Sequence, residues 1–338
     1  SLSLKSLQIT TLNKFEISRD STTSFNVAVQ DVLWTGKFLT NLQATDTLVF
    51  NAIRSKFSHQ DVTQPVFDVK TFDVPWTLSF SQCTITGFAL QLVANNPKTL
   101  PNTITYSDCE FQGGNMQYGF SIQDNNLAFT LDQARFVGYT AQSQVFNILG
   151  QGATPNNVYS IQNSQFAVTS ALNGIFYADC PGTLTLNLDN VTITGGSTIP
   201  VVNANKPLNL NIAGSKFDGC GVIFVAGESS VSTINVVNST FIMQVTAFKF
   251  ISAEVTLKNS SFTSSSSIVE PTSAGTLHIN IDSCQFSVSA GMNAFLLNPS
   301  TGNFTMTNSD VTAESGNGIF LIQVETIKVA NTTFSGSA

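Results

Sequence analysis

The chain returns to one short phrase about every 25 residues, and that period limits what it can fold into. The phrase reads "VVNSTFIM" at 236–243, "LKNSSFTS" at 257–264 and "VANTTFSG" at 329–336. Taking the large apolar residue that ends each phrase as an anchor gives Trp34, Phe57, Ile85, Phe111, Phe136, Phe166, Ile193, Phe217, Phe241, Phe262, Phe286, Val311 and Phe334. Steps run from 21 to 30 residues and average 25. A weaker copy, anchored at Leu12, is expected before them. A period of this length marks a stacked repeat, in which one unit buries its apolar face only against the next.

Upstream of each anchor the sequence alternates strictly, as in Leu184, Leu186 and Leu188, or Leu277, Ile279 and Ile281 with His278, Asn280 and Asp282 between. Period two with one apolar face is a half-buried strand. Three residues before the anchors stand Asp31, Arg54, Gln82, Asp108, Gln133, Asn163, Asn190, Gly214, Asn238, Asn259, Ser283, Asn308 and Asn331. Nine of these thirteen are Asn, Asp or Gly, which tolerate positive φ. One left-handed residue bends a strand sharply, so the phrase encodes a corner. Two before the anchor the residue is small (Ser, Cys, Ala or Thr, with Val at 32 and 191), as a tight inward corner requires.

A second apolar strand follows within a dozen residues, as in "GVIFVA", "AFKFIS" and "NAFLLN". The expectation is an all-β parallel β-helix of about 14 coils, with about 25 residues per coil, forming one domain over 1–338. Composition agrees. Charged residues make up only 10%, against an ordinary share of about 25%, and helix formers are scarce beside Thr, Val, Ile and 27 Phe. A leucine-rich repeat shares the period, but its pattern does not fit "LTLNLDNVTI" and no helical half is present.

The coil length, the turn Asn and the stacked aliphatic and Phe core resemble the right-handed, pectin-lyase-like β-helix superfamily over residues 20–338. That resemblance implies the fold and leaves activity open, because the superfamily holds pectate lyases, polygalacturonases, tailspikes and large surface repeat proteins. Its enzymatic members imply adjacent Asp pairs with Gly-His-Gly and Arg-Ile-Lys phrases, or clustered carboxylates beside an Arg. This sequence has no Asp-Asp pair and no "RIK", and its histidines sit in "FSHQD" and "TLHINI". Arg19, Arg54 and Arg135 lie apart from acidic clusters. A net charge of −7 also repels anionic polysaccharide and nucleic acid. No catalytic residue, cofactor or metal is therefore assigned.

Several further features resemble sites. Asp132, Asp189 and Asp282 share a column but not neighbouring coils, so they read as solvated charge. His278 falls beside Glu254, without a nucleophile. The Thr-x-Thr pairs do not repeat coil after coil, as an ice-binding face requires. Cys83 and Cys109 occupy the small inward position of consecutive coils, within reach of a disulfide. The sequons at Asn190, Asn238, Asn259, Asn303 and Asn331 are N-glycosylation acceptors if their side chains point outward, and four of them fall on the corner.

The resulting expectation is a non-enzymatic, extracellular or cell-surface glycoprotein, a β-solenoid for coat, adhesion or filament assembly. Its partners would be N-linked glycans and further copies of itself or neighbouring domains of the same protein. The alternative is a carbohydrate-binding or carbohydrate-cleaving β-helix. No apolar run is long enough to span a membrane. The opening "SLSLKSLQIT" lacks a signal-peptide pattern, and both ends read as strand-like, so the chain is expected to be a window of a longer protein or a subunit whose ends abut others in a fibre.

Overall fold

The computed structural model describes residues 2–19, 25–42, 47–71, 75–94, 101–114, 116–150, 156–195, 199–225, 231–271, 275–289, 291–297, 301–314, 319–321 and 324–336. Among these there is no helix. The protein is a parallel β-solenoid of about 11 turns at roughly 25 residues per turn. The turn count falls below the 14 expected. The described chain forms two compact units, one of Ser1–Leu172 with Asp179–Thr185 and the other of Asn173–Ala178 with Leu186–Ala338.

In unit 1 the strand before the corner recurs as Phe25–Gln30, Leu48–Ile53, Trp76–Ser81, Asn102–Ser107 and Leu127–Asp132, each paired in parallel with the next. In unit 2 it recurs as Leu208–Ala213, Ser232–Val237, Ala253–Lys258, Thr276–Asp282, Thr301–Thr307 and Thr326–Ala330. Alternation sends one side chain in and the next out, which is the half-buried pattern of the sequence.

All thirteen expected corner residues have positive φ, between 47° and 56°. The anchors that follow stack on one another within each unit, Trp34 on Phe57, Phe57 on Ile85, Ile85 on Phe111, and again Phe217 on Phe241 and Phe241 on Phe262. Twelve of the thirteen anchors are buried; Phe334 is 49% exposed. The Phe217, Phe241 and Phe262 rings stack with centroids 4.7 Å apart and planes 2° from parallel. That separation is the spacing of neighbouring strands, ~4.8 Å, so the coil pitch itself holds the rings in a column.

The first copy of the phrase is not anchored at Leu12. Ile9 pairs with Trp34, and Ser6, three residues earlier, carries the positive φ of 51°. A register shift between Thr10 and Lys14 follows. With Ser in place of Asn and Ile in place of Phe, this copy keeps the geometry and loses the letters.

Candidate functional site

The corner turns its backbone and its small residue inward into hydrogen bonds and its left-handed residue outward. Asn238 N–H donates to the Lys258 carbonyl of the next coil at 3.0 Å, and Asn259 N–H to that of Asp282 at 3.1 Å. The small inward residue then forms a ladder. Ser215, Ser239 and Ser260 hydroxyls each donate to the carbonyl two residues back at 2.8 Å. Each also accepts a backbone N–H from the preceding coil: Val191 to Ser215, Ser215 to Ser239 and Ser239 to Ser260, at 3.0 to 3.2 Å. Small size was legible in the sequence. The reason for Ser is that a bent backbone leaves a donor and an acceptor that a hydroxyl satisfies together.

Where Cys replaces Ser, the sulfur takes the same place less well. The Cys83 and Cys109 thiols donate to carbonyls two residues back at 3.3 Å, and the N–H of Ser55 donates to the Cys83 sulfur. The structure brings Cys83 and Cys109 together as expected, and they stand in it as free, buried thiols. A hydrogen bond between the two, and then burial, hold Cys109 far above the ordinary thiol range. Burial pushes Cys180 and Cys220 up to about 12 and Cys284 to about 11. None of these four thiols is poised as a nucleophile, which would need a lowered value and access.

All five sequon asparagines are exposed. Asn190, Asn238, Asn259 and Asn331 project from the corner with φ of 48° to 52°, while Asn303 lies on the strand Thr301–Thr307. At the corner of unit 2 an open groove of about 410 Å³ is lined by Asn238, Ser239, Thr240, Asn259, Ser260, Ser261, Ser283 and Gln285. Its walls carry hydroxyls and amides and no ionisable group.

The other candidates fall out as follows. Glu254 and His278 do pair in register and border a cavity of about 280 Å³ with Asn280 and Asn303. Asp282 accepts hydrogen bonds from Asn308 and Thr307 at 2.9 Å each, and those bonds hold its carboxyl below the usual range. Asp132 accepts one from Asn163 at 2.9 Å; Asp189 is exposed. Among the described residues no three His, Cys, Asp or Glu side chains converge as a metal site would.

Two polar groupings in unit 1 escaped the sequence reading. Asp124 is fully buried and accepts from Asn102 Nδ2 at 2.6 Å and from the N–H of Asn125 at 2.7 Å. Asn157 Nδ2 donates to the Asp124 carbonyl at 2.7 Å, and its Oδ1 accepts from Leu127 N–H. These side chains close an inner corner. The second grouping is the ion pair of Lys37 with the buried Asp68 at 2.5 Å. Compared with models of protein families and with curated proteins, the chain matches none.

Proposed function

We propose that this chain is a non-enzymatic structural β-solenoid of the right-handed, pectin-lyase-like kind, extracellular or on a cell surface, glycosylated along one corner and used for coat, adhesion or filament assembly. The observation that carries this reading is the corner itself. Four sequon asparagines are exposed at left-handed positions while the residue beside each is turned into the coil. The acceptors thus sit on the solvent side of the bend, outside the packed coil. The burial of all five cysteines and the uncharged groove lining support a surface without catalytic machinery. In an oxidising compartment Cys83 and Cys109 would close a disulfide between adjacent coils. Low charge and Ser, Thr and Asn on the outward faces favour side-by-side association with further copies or neighbouring domains, since repulsion would be weak.

The test is secretion of the chain from a eukaryotic host, followed by enzymatic removal of N-glycans and intact-mass measurement. A fall in mass at the corner asparagines is expected. A secreted, folded chain without any sugar would overturn the glycoprotein reading. The second reading, carbohydrate binding, draws on the hydroxyl- and amide-lined groove at Asn238 to Gln285, and a glycan-array signal abolished by Gln285→Ala would favour it.

A further inference from the structure

The corner asparagines are not equivalent neighbours, and their spacing bears on how many sugars they hold. Asn238 and Asn259 lie on consecutive coils, with Thr240 paired to Ser261 and Phe241 to Phe262. Asn190 is separated from Asn238 by Gly214, and Asn331 from Asn259 by Ser283 and Asn308. Consecutive coils stand ~4.8 Å apart, so only the 238/259 pair places two acceptors at a single strand spacing.

We propose that Asn238 and Asn259 act as one glycan site, holding a single N-linked oligosaccharide between them in the folded protein, and that Asn238 is the preferred holder. This rests on the glycoprotein reading above. The transfer joins Asn Nδ2 to the anomeric carbon of a lipid-linked oligosaccharide. The bond from that carbon to the lipid diphosphate breaks, the diphosphate leaves, and Nδ2 gives up one proton.

Two features forbid the pair from spreading to admit a second sugar. Each Asn has its N–H bonded to the next coil, and the middle residues of the two sequons are joined by Ser239 N–H donating to Ser260 Oγ at 3.1 Å. The backbone under both acceptors is therefore locked in register. A branched oligosaccharide is far wider than one strand spacing. Two of them rooted this close would have to run as a confined pair, and both would lose the torsional freedom that an exposed glycan keeps. Asn238 is preferred because its neighbour on one side is Gly214, which presents no side chain, and an added Cβ there would meet nothing closer than the Asn190 nitrogen at 3.9 Å. Asn259 lies between Asn238 and Ser283.

The experiment counts glycans by intact mass on the secreted, folded chain and on Asn238→Gln, Asn259→Gln and the double variant. Gln suits the test because Gln82 and Gln133 already hold this corner position at φ 55°. The expected result is one glycan at the pair in the parent, an unchanged count in each single variant, and loss of one in the double variant. Site mapping of the parent should find Asn238 occupied in at least several-fold excess over Asn259. A folded parent with two glycans at the pair, dropping by one in each single variant, would overturn the inference and leave the glycoprotein reading standing. A chain with no sugar at any of the five asparagines would sink both.

Discussion

The two units solve the same corner with different chemistry. Unit 1 turns on Asp31, Arg54, Gln82, Asp108, Gln133 and Asn163; unit 2 turns on Asn190, Gly214, Asn238, Asn259, Ser283, Asn308 and Asn331. Unit 1 fills its interior with aromatic rings that meet both edge to face, such as Phe120 against Phe111 at 5.3 Å and Phe129 at 5.7 Å, and stacked, such as Phe120 on Phe146 at 4.6 Å. Unit 2 relies on one column of parallel rings, met edge to face by Phe248 and Phe295. Five buried side-chain atoms without a hydrogen-bond partner among the described residues, Asp68 Oδ1, Trp76 Nε1, Tyr106 Oη, Gln144 Oε1 and Tyr159 Oη, all lie in unit 1. Each such atom costs on the order of 1–3 kcal/mol. All five sequons lie in unit 2. The surface offered for modification therefore coincides with the unit in which no such atom is found among the described residues.

The largest test of this contrast is the core. Phe241→Ala should destabilise by about 3–5 kcal/mol through the cavity left in the ring column. Phe120→Ala, whose ring meets Tyr106, Phe111, Phe129, Phe136 and Phe146, should fall at the upper end of that same range of roughly 3–5 kcal/mol. Urea titration gives the totals, and hydrogen exchange assigns each loss to its own unit. Equal losses would mean that the greater number of rings around Phe120 adds nothing over the fewer around Phe241.

A smaller effect separates the two kinds of rung. Ser239→Ala leaves the Ser215 N–H without its acceptor and should cost about 1–3 kcal/mol. Cys83→Ser exchanges a weak sulfur rung for a hydroxyl one and should leave stability unchanged or higher, by the same urea titration. If Cys83→Ser destabilised as much as Ser239→Ala, hydrogen bonding would not be what the small column selects.

These rungs also mark how far the sequence could be read. The corner was legible in full, because positive φ and a small inward side chain are local steric demands that thirteen copies repeat. The hydroxyl's pair of hydrogen bonds was not, since the N–H that each hydroxyl accepts lies on another coil. Ser6 and Ile9 were missed because a corner can be made without Asn and an anchor without Phe once the neighbouring coil fixes the register. The Asp124, Asn102 and Asn157 corner was invisible for a different reason. Asn102 and Asn157 each stand nine residues before an anchor, Phe111 and Phe166, but Leu127 holds that place in the coil between, so no run of like residues advertises it. The outward direction of the sequon asparagines was the open point of the candidate site, and alternation alone does not reach a residue that sits on the bend itself.

The corner residues can be exchanged between the two chemistries. Asn238→Val should cost ~1–2 kcal/mol, the strain of a side chain with a Cβ branch at φ 51°. Gln133→Asn, the reverse move in unit 1, should gain up to about 1 kcal/mol. Thermal melts of both variants measure this, and a neutral Asn238→Val would mean that the corner relaxes out of the left-handed region.

The finest distinction is electrostatic. In unit 1 the Arg54 guanidinium donates to both carboxyl oxygens of Asp31, at 2.8 and 3.0 Å, and this holds the carboxyl below its ordinary value. In unit 2 Asp282 is held down mainly by the neutral donors Asn308 and Thr307. The folded value is the lower one in both cases. Each therefore contributes stability above the unfolded carboxylate value of about 3.9, and loses it as pH falls through the folded value. Both groups are exposed, so the contributions are small. What differs is the response to salt, which screens charge and leaves a neutral amide donor nearly untouched. Carboxyl titration by NMR at low and high salt should show the Asp31 value rising toward normal with salt, and Arg54→Gln should abolish that rise. The Asp282 value should stay low in salt and rise only when Asn308 is replaced by Gly. If both carboxyls moved alike with salt, the corner of unit 2 would also be held by charge, and the contrast between the units would fail.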